Sequence, residues 1–290
     1  MKIAVLSGKG GTGKTLVAVN LAAVAKNSVY ADCDVEEPNG YLFFQPTEVT
    51  TQQVTVSIPS IDYNLCSGCR KCVDFCRFNA LAYIAQKPAF FADLCHSCGG
   101  CTLLCPNHAI SEKQNAVGKV IIGNSQNVTT ITGIMDTGRA SGVSVIRQVL
   151  RCLNQKNKPG IIGIIDCPPG SACIVMESIR EADYCVLVAE PTIFGLHNLQ
   201  MVIELVQLFN KPFGVVLNKC TADANPSAEY CHEKNMTILA SIPFDKKLGQ
   251  LVSDGQIAVH CDPLWQKLFI SLLDKINKEA GYEAATDNQR

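Results

Sequence analysis

The segment G-K-G-G-T-G-K-T, Gly8 to Thr15, constrains this chain more than any other stretch because of what flanks it. It follows the short apolar run Ile3–Leu6 and leads straight into the amphipathic stretch Thr15–Lys26. Glycine adopts positive φ without steric cost, so such a loop can turn its backbone N–H groups toward one point at a helix start, where an anion is favoured. The spacing G-x-x-x-x-G-K-T is that of a phosphate-binding loop. Gly8, Gly10, Gly11, Thr12 and Gly13 form the cradle, Lys14 neutralises the outer phosphates, and the Thr15 hydroxyl ligates magnesium.

Further apolar runs of strand length occur at Val29–Ala31, Ile161–Ile165, Tyr184–Ala189, Phe213–Leu217 and Thr237–Ala240. Helical patterns intervene at Val143–Leu153, Ala172–Arg180, Leu196–Phe209 and Ser227–Lys234. This alternation predicts an α/β fold, a mostly parallel, doubly wound sheet covered on both faces. Val54–Ile58, Lys119–Ile122 and Val128–Ile134 read as strands that extend it. The alternation breaks over 60–114, where eight cysteines fall and long amphipathic helices vanish. We expect a small inserted α+β domain there, within a larger domain made of 1–59 and 115–290. Thr286–Arg290 reads as a solvated tail.

The insert carries an internal repeat. Cys66, Cys69, Cys72 and Cys76 show C-x2-C-x2-C-x3-C, and Cys95, Cys98, Cys101 and Cys105 show it again. A zinc ribbon wants two separated C-x2-C pairs around one tetrahedron. The doubled run of four is instead the spacing of a bacterial ferredoxin with two 4Fe-4S clusters, in which the fourth cysteine of each run ligates the other cluster. That rule assigns Cys66, Cys69, Cys72 and Cys105 to cluster 1, and Cys76, Cys95, Cys98 and Cys101 to cluster 2. Pro106 follows Cys105 as that motif expects, whereas Arg77 follows Cys76.

Sixteen cysteines without an apolar leader point to reduced thiols and a cytoplasmic protein. No apolar run approaches the roughly 20 residues of a membrane-spanning helix. With 25 basic and 26 acidic residues, the chain lacks the excess of positive charge that nucleic-acid or membrane-surface binding leans on.

With Lys9 inside the loop, G-K-G-G-T-G-K-T resembles the deviant Walker A motif of the MinD, ParA, Mrp and nitrogenase iron-protein superfamily. The resemblance implies ATP and Mg2+ as ligands. It also implies a dimer, of identical chains or with a paralogue, in which Lys9 reaches the partner's nucleotide. Asp32-Cys33-Asp34 resembles the family's D-x-D element: Asp34 positions the attacking water and Asp32 is a magnesium candidate. Asp166 to Gly170, D-C-P-P-G, resembles the switch whose aspartate, here Asp166, holds magnesium through water. Both lie at the carboxyl ends of strands, where ligands bind in such sheets. Asn218 and Lys219 resemble the adenine-contacting position, and Ile242 to Asp245, with Pro243, the loop that packs on base and ribose. The chain as a whole resembles MinD-superfamily ATPases that contain an inserted ferredoxin domain.

Three functions are compatible with these residues. The first is an ATPase that gates electron transfer to a partner metalloprotein. A metallocluster carrier in the manner of Mrp is the second, but the C-x2-C such carriers use is missing, since Cys220, Cys231 and Cys261 lie far apart. The third is a MinD-like positioning ATPase. Its membrane contact would fall on the stripe Leu264, Trp265, Leu268, Phe269, Leu272, Leu273 and Ile276, but the polar face there mixes acids with lysines, so a helix docked on the domain is expected. Cys173 sits at the offset of a bridging-cluster cysteine in the nitrogenase iron protein, with no second thiol at matching spacing. We expect it, like Cys33, Cys152, Cys167, Cys185, Cys220, Cys231 and Cys261, to be a small buried hydrophobe.

An insert of some 50 residues cannot sustain a strong core of its own. Stripping metal from it is therefore expected to unfold the insert and spare nucleotide binding, seen in calorimetry as the loss of one transition with the other retained.

Overall fold

The computed structural model describes residues 1–139, 141–221 and 224–281, so the expected tail at Thr286–Arg290 lies outside the described residues. The first third contains β1 (Lys2–Leu6), α1 (Lys14–Val24), β2 (Ser28–Asp32), α2 (Gly40–Phe44) and β3 (Thr47–Ile61). Then come α3 (Lys71–Phe75), β4 (Leu81–Ile84), β5 (Lys87–Phe90), α4 (Gly100–Leu103), β6 (Ile110–Ser125) and β7 (Val128–Met135). Strand and helix alternate thereafter: α5 (Val143–Lys156), β8 (Ile162–Asp166), α6 (Cys173–Ile179), β9 (Tyr184–Ala189), α7 (Ile193–Leu208), β10 (Phe213–Cys220), α8 (Pro226–Glu233) and β11 (Ile238–Pro243). Three helices close the described chain, α9 (Lys246–Ser253), α10 (Ala258–Cys261) and α11 (Pro263–Glu279).

Nine strands form one sheet in the order β11-β10-β9-β1-β8-β2-β7-β6-β3. From β11 to β7 every pairing is parallel, and β6 and β3 add an antiparallel edge. The central strands are buried on both faces, which is why Ile3–Leu6 and Tyr184–Ala189 are continuous apolar runs rather than alternating ones. One face packs against α5, α6 and α7 through Val149, Leu153, Val175 and Val202. The other packs against α1 and α11 through Val17, Leu21, Trp265 and Phe269.

Local chemistry sets the helix starts. Asp262 accepts from the backbone N–H of Leu264 with Pro263 in the first turn, and Asn225 does the same for Ala228 with Pro226. Thr192 and Asp245 cap α7 and α9 in the same way. Most of the apolar stripe of α11 is docked, as expected: Trp265, Phe269, Leu272, Leu273 and Ile276 are buried and Leu268 half-buried, whereas Leu264 is exposed. No helix among the described residues is long and apolar enough to cross a membrane.

The edge departs most from expectation. Val54–Ile58 and Lys119–Ile122 are the middles of much longer strands, and the ladder runs unbroken in pairing from Thr55 opposite Ala116 to Ile61 opposite Ile110. Only the part of β6 from Gly118 onward also pairs with β7. The seven pairs beyond it form a free two-stranded ribbon about 20 Å long at roughly 3.4 Å per residue. Gly118 pairs with Met135, and β7 runs parallel to β2, so the ribbon leaves the sheet at the edge where the parallel strands end. Residues 62–109 lie at its tip, with the β4–β5 hairpin and two short helices around a small buried group, Cys72, Leu81, Cys101 and Ile110. The expected bounds of the insert, 60 and 114, both fall on the ribbon itself.

Phe269 is fully buried between α1 and the sheet. Phe269→Ala is expected to cost about 3–5 kcal/mol in denaturant unfolding.

Candidate nucleotide site and cysteine cavities

The phosphate loop is braced from β10. Gly13 stands at the N-cap of α1 with φ +94°, and a Cβ there would lie 2.1 Å from Asn218 Nδ2. Asn218 is buried and donates that amide to the Thr12 carbonyl at 2.7 Å, while Lys219 Nζ donates to the Gly11 carbonyl at 2.7 Å. The side chains of both residues hold the backbone of the loop. Pro243 ends β11, and Phe244 beyond it is 60% exposed. Thr15 is half-buried in the first turn of α1.

Four charged side chains converge beside the loop. Lys14 Nζ lies 2.7 Å from Asp166 Oδ1 and 3.8 Å from Asp34 Oδ2, with Lys14 and Asp166 both buried. Burial, the largest single influence, would lower the Lys14 pKa, but the charge and hydrogen bond of Asp166 together with the charges of Asp34 and Asp32 outweigh it and the pKa is raised. Asp32 pairs with Asp166 across β2 and β8, and burial, then the Asp166 charge, push its carboxyl up to about 8. Its two oxygens accept the backbone N–H groups of Asp34 at 3.2 Å and Gly40 at 2.9 Å. These contacts make Asp32 an anchor for the segment that carries Asp34. Burial also raises Asp34, partly offset by Lys14.

Lys9 does not hang free. Its Nζ lies 2.8 Å from Glu190 Oε2, and Glu190 Oε1 takes Lys219 Nζ at 2.6 Å. Burial, the largest single influence, would raise Glu190, but the hydrogen bonds and charges of Lys219 and Lys9 together prevail and hold it low. Neither Glu190 nor Tyr30, whose hydroxyl donates to Asp166 Oδ2 at 2.8 Å, was singled out from the sequence. Glu190 follows a strand end just as Asp34 and Asp166 lie at theirs, so the same positional rule would have found it. Tyr30 sits within an apolar run and carries no such signal.

The other thiols divide. Cys33, Cys152, Cys167, Cys185 and Cys231 are buried, as expected, whereas Cys220 is half-buried. Cys173 and Cys261 are exposed, because Cys173 opens α6 and Cys261 ends α10 at the surface.

The eight insert cysteines surround two cavities. Cys66, Cys69, Cys72 and Cys105 line one, together with Pro88 and Ile110. Cys76, Cys95, Cys98 and Cys101 line the other, together with Ser57, Pro59 and Glu112 of the ribbon. The second cavity is thus the one nearer the sheet. Arg139, in the loop after β7, lies 3.4 Å from Asp93 of the insert, two residues before Cys95. Among the described residues, no group of three or more His, Cys, Asp or Glu is set to hold a single metal ion.

Comparison with known proteins fits this geometry. The model of the CobQ/CobB/MinD/ParA nucleotide-binding domain matches residues 3–259. The chain is similar to two uncharacterized proteins of Methanocaldococcus jannaschii. One, MJ0579, is 30% identical over 265 residues, 88% of this chain and 90% of its own. The other, MJ0578, is 30% identical over 280 residues, 92% of this chain and 96% of its own. The fold is similar to that of the septum site-determining protein MinD complexed with Mg-ADP from Pyrococcus horikoshii, with a TM-score of 0.57 and 21% identity over 97% of each chain.

Gly13 has no room for a side chain and needs a left-handed backbone. Gly13→Ala is expected to lower ADP affinity at least a hundredfold in calorimetric titration. Its cost to stability should stay near the 1–3 kcal/mol of one strained residue.

Proposed function

The chain belongs to the CobQ/CobB/MinD/ParA nucleotide-binding family, and from that premise we propose that it is a magnesium-dependent, ATP-hydrolysing switch of the MinD/ParA kind that works as a dimer. The observation that carries this reading is the buried Lys14–Asp166 contact at 2.7 Å beside a loop braced to receive phosphate. Nucleotide phosphates compete with Asp166 for Lys14, so their arrival frees the aspartate. Asp166 and Thr15 would hold Mg2+, which neutralises phosphate charge when bound. Asp34 orients the attacking water. Lys9 of a second copy adds a cation where charge grows on the transferred group, which requires it to leave Glu190. Two relatives in one archaeon support a pairing of paralogues beside a homodimer.

What the switch drives has two readings. The comparisons favour positioning, because the fold neighbour is a septum site-determining protein. The apolar stripe of α11 is docked against the domain, so a positioning role would need another surface contact. The eight cysteines favour ATP-gated electron transfer to a metalloprotein. Their donor set fits: two cavities, each with four thiols, three from one run and the fourth from the other. Two 4Fe-4S clusters bound there would supply one-electron transfer. Residues 62–109 would then form a ferredoxin-like module that the ribbon holds at the nucleotide edge of the sheet, in a cytoplasmic protein with reduced thiols.

Anaerobic reconstitution decides between them. The electron-transfer reading expects about eight irons per chain, Mg-dependent hydrolysis that differs between oxidised and reduced protein, and electron paramagnetic resonance spectra that shift with nucleotide. Iron at that level with rate and spectra indifferent to each other would leave positioning as the output, with ATP-dependent co-sedimentation on liposomes as its readout. No hydrolysis, with Lys14→Ala indistinguishable from wild type, would remove the switch itself.

A further inference from the structure

Asp166 is held by two unlike donors, and only one of them is accounted for by nucleotide binding. Lys14 takes Oδ1 at 2.7 Å, and Tyr30 takes Oδ2 at 2.8 Å. In the ladder between β2 and β8, Tyr30 stands opposite Ile164 and Asp32 opposite Asp166. Opposite residues share a face, so Tyr30 reaches Asp166 along the diagonal, a Cα separation of roughly 7–8 Å. Only a long side chain with a polar tip spans that gap over Ile164.

Packing fixes the tyrosine in a way it does not fix the lysine. Tyr30 is fully buried, and its ring centroid lies 5.0 Å from that of Phe44 in α2. Gly40 is so near the ring that a Cβ there would fall 2.2 Å from Tyr30 Cε1, and the Gly40 N–H is the group that holds Asp32. Lys14 is a flexible cation that phosphate draws away, whereas Tyr30 has nowhere else to go.

Resting on the reading of the chain as a Mg-dependent ATPase, we propose that Tyr30 is a positioning residue for Asp166. It keeps one carboxylate oxygen when Lys14 turns to phosphate, so the other faces the magnesium shell in a single orientation. Its ring also ties α2, just after the Asp34 segment, to the same carboxylate.

The test is calorimetric titration of ADP into the full chain, with and without Mg2+, for wild type, Tyr30→Phe and Phe44→Leu. Tyr30→Phe should keep its Mg-free ADP affinity within about twofold of wild type. Its Mg2+ concentration for half-maximal effect should rise about tenfold, the worth of one hydrogen bond to a charged group. Phe44→Leu, which disturbs the ring's packing and keeps the hydroxyl, should respond to Mg2+ as wild type does. An unchanged Mg2+ requirement in Tyr30→Phe overturns the proposal. So does a parallel loss of Mg-free ADP binding, or a shift in Phe44→Leu of the same size, since either makes the role one of packing. Wild-type protein that binds ADP with no response to Mg2+ would instead remove the magnesium reading beneath it.

Discussion

One ammonium among three carboxylates, in the interior where the parallel strands end, sets the terms for the nucleotide half of the molecule. Lys14 stands within 4 Å of Asp166 and Asp34, with Asp32 beside them. Burying such a group is costly unless every charge is paired or hydrogen-bonded. Backbone N–H groups from the Asp34 segment and α2 serve Asp32, while a phenol and the lysine serve Asp166. The surrounding parts look different once seen as satisfying that group. α2 begins with a glycine because the Tyr30 ring needs its space, and Asn218 and Lys219 prop the loop that presents Lys14. An excess of buried negative charge around one lysine is a state that a magnesium–nucleotide complex would relieve, since it brings cation and phosphate together.

What was legible in the sequence follows from burial. Tyr184–Ala189 reads as a strand because both its faces are covered, and the amphipathic stretches between such runs read as helices because only one face is. Strand-end position marked Asp34 and Asp166 without any view of their surroundings. The long edge strands were read short because Thr47–Gln53 is exposed and polar but for Val49; its order comes from ladder pairing with β6, which leaves no periodic trace. Short helices such as α2 and α10 have too few turns to show a period. Asn218 illustrates a different limit: its place at a strand end was evident, but the direction of its side chain depends on a glycine some two hundred positions away.

The two halves of the chain rest on different physics. The nucleotide domain has an apolar layer on each face of its sheet. The tip of the ribbon has four buried residues at its centre, and two of those are cysteines that also line the cavities. Its apolar centre is therefore small beside that of the domain below. Among the described residues Arg139 and Asp93 form an ion pair between them, and an exposed pair of that kind contributes at most about 1 kcal/mol. The ribbon, rather than that contact, fixes where the cavities stand.

A ladder that carries a module on its end is also a gauge with fixed divisions. Side chains alternate along each strand, so a single added residue would exchange the two faces of the ribbon, and Ser57, Pro59 and Glu112 share the face that lines the second cavity. Only matched additions of two residues to both strands preserve the faces, and each such step displaces the cavities by about 6.7 Å. The spacing between thiols and phosphate loop is thus not continuously adjustable in descent: it changes by whole notches or not at all.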